Sequence, residues 1–244
     1  MLPCKAECVT IEARFEEEKM GEVVRLKAAD DHEFAAYHVA ASGERGRRGG
    51  LVVVQEIFGV NDHIRHVCEG FGKQGYEVYS PALFDRIEAN IELGYEEADV
   101  ARGIELRGKL EEPNFLLDVQ ACVAEKRGEG EVGVVGYCFG GLVSWLSACR
   151  LIGVSAASCY YGGGIANELE GTPRCPVMMH FGALDTMIPL SDVEKIKAGQ
   201  PGVALHLYDG ADHGFNCDER ASYHKESAAL ALDRTLKFFA EHVG

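Results

Sequence analysis

Residues 136–141, GYCFGG, place a single cysteine among glycines directly after the apolar run 132–135. The pattern G-x-nucleophile-x-G lets a strand turn sharply into a helix, because glycines beside the nucleophile omit side chains that would clash. The turn would present Cys138 at the end of a strand, where the following helix N-terminus favours a thiolate and a developing oxyanion. Taken alone, the short motif fits an inert buried thiol equally well.

A nucleophile of this kind needs a base and an acid that orients the base, in the chain order nucleophile, acid, histidine. Asp185 follows an apolar run that ends at Phe181, and His213 follows one that ends near Tyr208. Open α/β sheets hold their active-site residues just past the carboxyl ends of strands, where both positions fall. Each residue alone could be an ordinary loop residue, but the three in order predict a triad of Cys138, His213 and Asp185.

The apolar run 51–54 leads into QEIFGVN, residues 55–61. The loop after this strand is where such a fold supplies a second oxyanion donor, so we predict that the backbone N–H groups of Ile57 and Phe139 form the oxyanion hole. Glu56 would ordinarily be an exposed loop acid. Beside Cys138 it can instead exchange a hydrogen bond with the thiol and influence when the thiolate forms.

The elements that must position these residues alternate between short apolar runs and longer amphipathic segments. This alternation predicts an α/β fold: a single doubly wound, mostly parallel sheet with an antiparallel leading strand and helices on both faces. The turn-forming residues Asp30, Asp31 and His32 join the first two strands as a hairpin. Predicted strands are 23–27, 34–40, 50–54, 77–80, 132–135, 156–160, 177–181 and 203–208, and predicted helices are 61–73, 115–126, 140–151 and 222–240.

The charged stretch 85–113 fits the alternation least well. A helix within 93–110 would either lie on the surface or cap a pocket, and the sequence leaves both interpretations open. We predict that residues 1–20 are an N-terminal extension and that residues 21–244 form a single domain.

The 244-residue chain carries a net charge of −15, which disfavours binding to nucleic acid or anionic membranes. No apolar run approaches the ~20 residues of a membrane span, and the acidic start is unlike a signal peptide. Nine cysteines without paired CxxC clusters predict free thiols and a cytoplasmic protein. No H-x-H or HExxH cluster occurs, so we predict neither metal nor cofactor, and interpret His63 and His66 as a solvated pair.

The sequence resembles the dienelactone hydrolase family (carboxymethylenebutenolidases), a branch of the α/β-hydrolases, from about residue 21 to the C-terminus. QEIFGVN is similar to the family's glutamate loop and VVGYCFGG to its cysteine elbow. CYYGGGI, GALDTMIP and DHGFNCDERASY also match in order. The resemblance implies that Cys138 opens an enol-lactone through an acyl-thioester. His213 would handle the proton and Asp185 would orient it. Glu56 would hold the resting thiol.

The resemblance also implies arginines that bind the carboxylate of a dienelactone. Arg86 lies where one of these falls, but Cys217 occupies the position of the other, and Arg220 is a nearby substitute or a surface charge. This departure places the dienelactone itself in doubt as substrate. Tyr137 and Tyr161, with their neighbour Tyr160, would line the pocket, orient the triad or simply pack in the core.

Three functions remain open at this stage. The leading one is a cysteine-dependent hydrolase of a small lactone or activated ester, acting as a monomer or small homo-oligomer. The second is a broad carboxylesterase or thioesterase with the same triad. The third is a non-catalytic thiol sensor, for which Cys159 and Cys175, both expected to be buried, are candidate resolving cysteines.

Overall fold

The computed structural model describes residues 21–42, 48–126 and 130–244, and the predicted N-terminal extension lies outside these residues. They contain one eight-stranded sheet in the order β1-β2-β4-β3-β5-β6-β7-β8. The first two strands form the predicted antiparallel hairpin, and every pairing from β4 to β8 is parallel. The strands are β1 Gly21–Lys27, β2 Glu33–Val39, β3 Gly50–Val54, β4 Glu77–Pro81, β5 Val132–Tyr137, β6 Ala156–Tyr160, β7 Val177–Gly182 and β8 Ala204–Tyr208.

Helices flank the sheet, as the alternation in the sequence predicts. Rings of Phe71 and Phe239 make an edge contact that joins the first helix to the last, while an ion pair between Arg150 and Glu112 joins the fourth helix to the third. The predicted α/β class with an antiparallel leading strand is therefore confirmed. The helices are α1 Asp62–Lys73, α2 Glu97–Lys109, α3 Glu112–Lys126, α4 Phe139–Arg150, α5 Leu190–Gly199 and α6 Lys225–His242.

The central strands are buried along their whole length, which explains why they read as continuous apolar runs. Every residue of β3, β5, β6 and β7 is buried, because helices cover both faces of a parallel sheet. The edge strand β1 is mostly exposed or half-buried. No helix in the described part of the chain is both long and apolar enough to cross a membrane.

The order of the strands creates the crevice in which a site can form. The chain runs from β3 outward to β4 and then returns to place β5 on the other side of β3. Open α/β sheets bind ligands at such a switch point, outside the carboxyl ends of the strands. Val54 pairs with Gly136 across β3 and β5, so Glu56 and Cys138 each follow two residues later, at the same level of the sheet.

Candidate active site

A strained turn presents Cys138 at the carboxyl end of β5. Its φ is 53° and its ψ −113°, a conformation that non-glycine residues rarely adopt, and its backbone N–H donates to the Tyr160 carbonyl at 3.0 Å. A Cβ at Gly136 would overlap the Gly140 carbonyl, and one at Gly140 would overlap the Val54 carbonyl. Strain of this kind costs roughly 1–3 kcal/mol and persists where the surroundings enforce it. The glycines therefore enforce the elbow that the sequence predicts.

The structure brings the three predicted triad side chains into one hydrogen-bonded line. Nε2 of His213 lies 3.2 Å from Sγ of Cys138, and Nδ1 lies 2.8 Å from Oδ2 of Asp185. Asp185 also accepts hydrogen bonds from the backbone N–H groups of Met187 and Ile188, at 2.8 and 3.0 Å. These contacts fix the carboxylate, which in turn fixes the orientation of the imidazole.

The surroundings of His213 favour its protonated form. Burial lowers the pKa of His213, but the hydrogen bonds and charges of Asp185 and Cys138 raise it more, to about 10. The side chain is nearly fully buried, so solvent screens these interactions little. The arrangement therefore suits an imidazolium that faces a thiolate.

Glu56 follows β3 at the level of Cys138 and is buried, rather than exposed as an ordinary loop acid would be. It makes no hydrogen bond with Cys138. Its solvent-exposed fraction is 0%, and neither carboxylate oxygen has a hydrogen-bond partner among the described residues. Nη1 of Arg220 lies 3.5 Å from Oε1, which is an ion pair without a hydrogen bond. A buried carboxylate that lacks hydrogen bonds costs free energy, which makes Glu56 a candidate for a functional role.

Helix α2 packs on both segments that carry the predicted oxyanion donors. A Cβ at Gly103 would overlap the carbonyl of Ile57, so this glycine lets α2 approach that loop. One helical turn later, the guanidinium of Arg107 lies 4.4 Å from the ring centroid of Phe139. Phe139 is also the first residue of α4, where backbone N–H groups have no partner within the helix. These contacts favour the interpretation of the stretch 85–113 as a cap.

Arg107 is a further candidate site residue, which no sequence motif indicated. It is half-buried, and burial lowers the pKa of its guanidinium while the charge of nearby Cys138 raises it. Among the described residues no carboxylate forms an ion pair with it. Only the packing of α2 on the elbow brings Arg107 to the site, so no local motif around it could have revealed this role.

The predicted tyrosines are buried next to the triad. The ring of Tyr161 lies 5.2 Å from that of His213, its φ is 36°, and its buried hydroxyl has no hydrogen-bond partner among the described residues. Burial, followed by the charge of Glu56, raises the pKa of Tyr161 well above its usual range. Tyr137 is also buried and contacts the rings of Tyr160 and Tyr161.

The two predicted arginines have different surroundings. Arg86 donates two hydrogen bonds of 2.7 Å to the buried Asp118 and contacts Asp30 at 2.8 Å, so carboxylates of the protein already occupy its guanidinium. Arg220 lies beside Glu56 and over the ring of Tyr95, at 5.9 Å from its centroid. The structure thus brings Arg220, but not Arg86, into contact with a predicted site residue among those it describes.

The prediction that His63 and His66 are both solvated is wrong for His63. His66 is exposed, but His63 is 3% exposed and its Nδ1 lies 3.3 Å from Oδ1 of Asp218. The spacing alone could not reveal this, because the loop after β8 covers one side of α1. Of the candidate resolving cysteines, Cys159 is buried as expected and Cys175 only partly.

The chain matches the model of the dienelactone hydrolase family over residues 34–243. The chain belongs to this family. It is 36% identical over 208 residues to a carboxymethylenebutenolidase-like protein of Synechocystis sp., covering 78% of this chain and 84% of that one. The carboxymethylenebutenolidase of Pseudomonas putida is 30% identical over 229 residues, covering 90% and 96% of the two chains.

Solved structures of family members have the same architecture. A dienelactone hydrolase-like protein of Klebsiella pneumoniae superposes with a TM-score of 0.80 at 27% identity, covering 91% of this chain and 99% of that one. The dienelactone hydrolase family member described here is therefore a hydrolase with the α/β-hydrolase fold, as the motifs of the sequence predicted.

Proposed function

We propose that this dienelactone hydrolase family member opens a small enol-lactone, or cleaves an activated ester, with Cys138 as nucleophile. The observation that carries the proposal is the unbroken contact line from Sγ of Cys138 through His213 to Asp185, at 3.2 and 2.8 Å. Once its proton is removed, Cys138 is an activated nucleophile, because the thiolate lies at a helix N-terminus beside an imidazolium. Cys138 also follows β5 at the switch point of the sheet, where folds of this kind bind their ligands.

The reaction follows from these positions in two stages. Sγ of Cys138 attacks the carbonyl carbon, and the N–H groups of Ile57 and Phe139 stabilise the negative oxygen that forms. The C–O bond of the lactone or ester then breaks, and His213 gives its proton to the departing oxygen, which leaves the imidazole neutral. Water, deprotonated by His213, next attacks the thioester carbonyl, so that the C–S bond breaks and the acid is released.

Glu56 would act on the thiol before the first stage. A buried carboxylate without hydrogen bonds is a strong acceptor for a nearby proton, so we assign Glu56 to holding and then drawing the proton of the resting Cys138. Its ion pair with Arg220 links this role to the substrate, because a substrate carboxylate near Arg220 would compete with Glu56 for the guanidinium.

Arg107 and Arg220 are the groups that we assign to an anionic substrate. Arg107 lies over the ring of Phe139 and has no ion-pair partner among the described residues. Among the same residues, Arg220 is the only cation that forms an ion pair with Glu56. Arg86 is less suited, because its hydrogen bonds to Asp118 and Asp30 would have to break. Tyr137 and Tyr161 would shape the apolar wall behind the triad.

A broad carboxylesterase or thioesterase is the second candidate, and the ion pairs of Arg86 favour it over a strict dienelactone hydrolase. A thiol sensor is less well supported. Burial raises the pKa of both candidate resolving thiols, Cys159 and Cys175, which makes each a poor partner for a disulfide.

The test is hydrolysis of a dienelactone and of p-nitrophenyl acetate by the wild type and by Cys138→Ala, with Cys159→Ala as the matched thiol control. We expect Cys138→Ala to lose both activities and Cys159→Ala to keep them. Preference for the dienelactone supports the lactonase, and turnover of the neutral ester alone supports the esterase. Activity that survives in Cys138→Ala would contradict both.

A further inference from the structure

A second group of side chains with ligand chemistry lies beside the triad. A carboxylate oxygen of Glu56, a ring nitrogen of His63 and Sγ of Cys217 all lie within 4.8 Å of one another. They come from the loop after β3, the first turn of α1 and the loop after β8, and all three are buried. Oxygen, imidazole nitrogen and thiolate sulfur are the donors that Zn²⁺ uses in proteins.

Two of the three side chains, Glu56 and His63, have buried polar atoms without hydrogen-bond partners among the described residues. Nε2 of His63 is buried without a hydrogen-bond partner among the described residues, and so are both carboxylate oxygens of Glu56. On the other side of the imidazole, Nδ1 lies 3.3 Å from the carboxylate of Asp218. With the proton on Nδ1 and donated to Asp218, Nε2 has a free lone pair. Metal-binding histidines are oriented by carboxylates in this way.

The neighbours of the group limit which ion would bind. Arg220 lies 3.5 Å from Glu56, and the hydroxyl of Tyr95 lies close to Cys217. The positive guanidinium repels a cation, so charge attraction to Glu56 alone would not hold it. A metal ion must therefore gain affinity from its bonds to the sulfur and nitrogen donors. Those donors favour Zn²⁺ over Mg²⁺ or Ca²⁺, which prefer oxygen ligands.

A cavity of about 520 Å³ between α1 and α6 gives an ion a path to His63. His63 and Asp218 line this cavity, together with His66, Asn216 and Tyr137. A route from solvent therefore reaches His63, whereas Glu56 and Cys217 do not line the cavity. A workable metal site needs such an entry path as well as suitable ligands.

We propose that Glu56, His63 and Cys217 bind one Zn²⁺ ion that inhibits the enzyme. On binding, Zn–O, Zn–N and Zn–S bonds form, the thiol of Cys217 releases its proton to solvent, and water fills the fourth position. Donor atoms around tetrahedral zinc are roughly 3.3–3.8 Å apart, so the side chains must close by up to about 1.5 Å. The zinc takes no part in hydrolysis, and the inhibition rests on the proposed function, because it removes Glu56 from Cys138.

Zinc binding is measured first in the Cys138→Ala protein, so that the nucleophile cannot bind the ion. Calorimetric titration with ZnCl₂ should find one zinc per chain. His63→Gln in the same background should weaken binding at least about 100-fold, and Cys217→Ser should weaken it too. His66→Gln is the matched control, because His66 lies on the same helix and lines the same cavity, and it should bind zinc unchanged. No binding to Cys138→Ala, or equal binding after His63→Gln, would overturn the proposal.

Inhibition is measured in protein that keeps Cys138. Zinc should stop ester turnover of the wild type and a chelator should restore it, whereas His63→Gln should keep its basal turnover and resist zinc. Equal inhibition of both proteins would mean that zinc acts at Cys138 and His213, which refutes the inhibitory site. Zinc binding by a protein that hydrolyses no ester would refute the proposed function alone.

Discussion

Two halves of the candidate site differ in how their buried polar atoms are partnered. In the first half, Cys138, His213 and Asp185 form a continuous line of contacts, and backbone N–H groups hold the carboxylate. In the second half, Glu56 and Tyr161 are buried with polar atoms that have no hydrogen-bond partner among the described residues. The first half is arranged before a substrate arrives, whereas the second gains partners only when something else enters or moves.

The largest expected effect lies in the first half. Asp185→Asn should lower kcat by about 10²–10⁴-fold, because an amide cannot hold the imidazole in the same tautomer or stabilise its charge. It should also destabilise the protein, since Asp185 accepts two backbone hydrogen bonds and pairs with His213. Steady-state kinetics and thermal melting of the variant check both parts. Glu194→Gln, an exposed acid of α5, is the control and should change neither.

Glu56→Gln should distinguish the second half of the site from the first, because it should lower activity while raising stability. We expect kcat to fall by about 10–100-fold, from loss of the group that draws the thiol proton. The melting temperature should rise, since a neutral amide without partners costs less to bury than a carboxylate. Glu219→Gln is the control, because Glu219 is exposed and directly precedes Arg220, and it should alter neither kcat nor the melting temperature. A lower melting temperature for Glu56→Gln would mean that its ion pair with Arg220 stabilises the fold.

Arg107→Ala should change selectivity more than rate. Loss of a charge-assisted hydrogen bond should raise KM for an anionic lactone by about tenfold and leave KM for a neutral ester nearly unchanged. Arg107→Lys should recover part of the loss. Arg102→Ala is the matched control on the same helix, since Arg102 forms ion pairs with Glu88 and Glu105. An equal change in KM for both substrates would assign Arg107 to packing on Phe139 alone.

The smallest expected effect is the dependence of stability on pH. The pKa of His213 is raised to about 10 in the folded state, whereas an unfolded histidine has a pKa of about 6.5. The stabilisation from this proton is therefore complete below about pH 6.5 and is lost as pH rises through about 10. The difference in unfolding free energy between wild type and His213→Gln should shrink over that range in denaturant titrations. A difference that grows with pH would contradict a raised pKa.

The sequence was sufficient for the first half of the site but not for the second. A strained elbow needs glycines at fixed positions, and the acid and histidine follow strands in order, so Cys138, Asp185 and His213 carry local signals. Arg107 carries none, because it reaches Phe139 only through the packing of α2, which in turn depends on the missing side chain of Gly103. The burial of Glu56 follows from pairing of β3 with β5, which no short motif encodes.

The strands and helices also differ in how well the sequence predicted them. All eight strands were predicted, because buried parallel strands are continuous apolar runs. Helix α5 was not predicted, since only Val193 and Ile196 of its ten residues are buried and its apolar period is weak. The ion pairs of Arg86 with Asp30 and Asp118 join residues far apart in the chain, so its expected place in a substrate site could not be judged before the fold was known.

The most direct test of the central claim is detection of an acyl group on Cys138. Protein mixed with p-nitrophenyl acetate and quenched in acid within milliseconds should gain one acetyl mass, and peptide mapping should assign it to Cys138. His213→Gln should gain this mass slowly and Cys138→Ala not at all. An acetyl group on another residue, or turnover by the wild type with no acyl-enzyme under single-turnover conditions, would contradict a cysteine nucleophile.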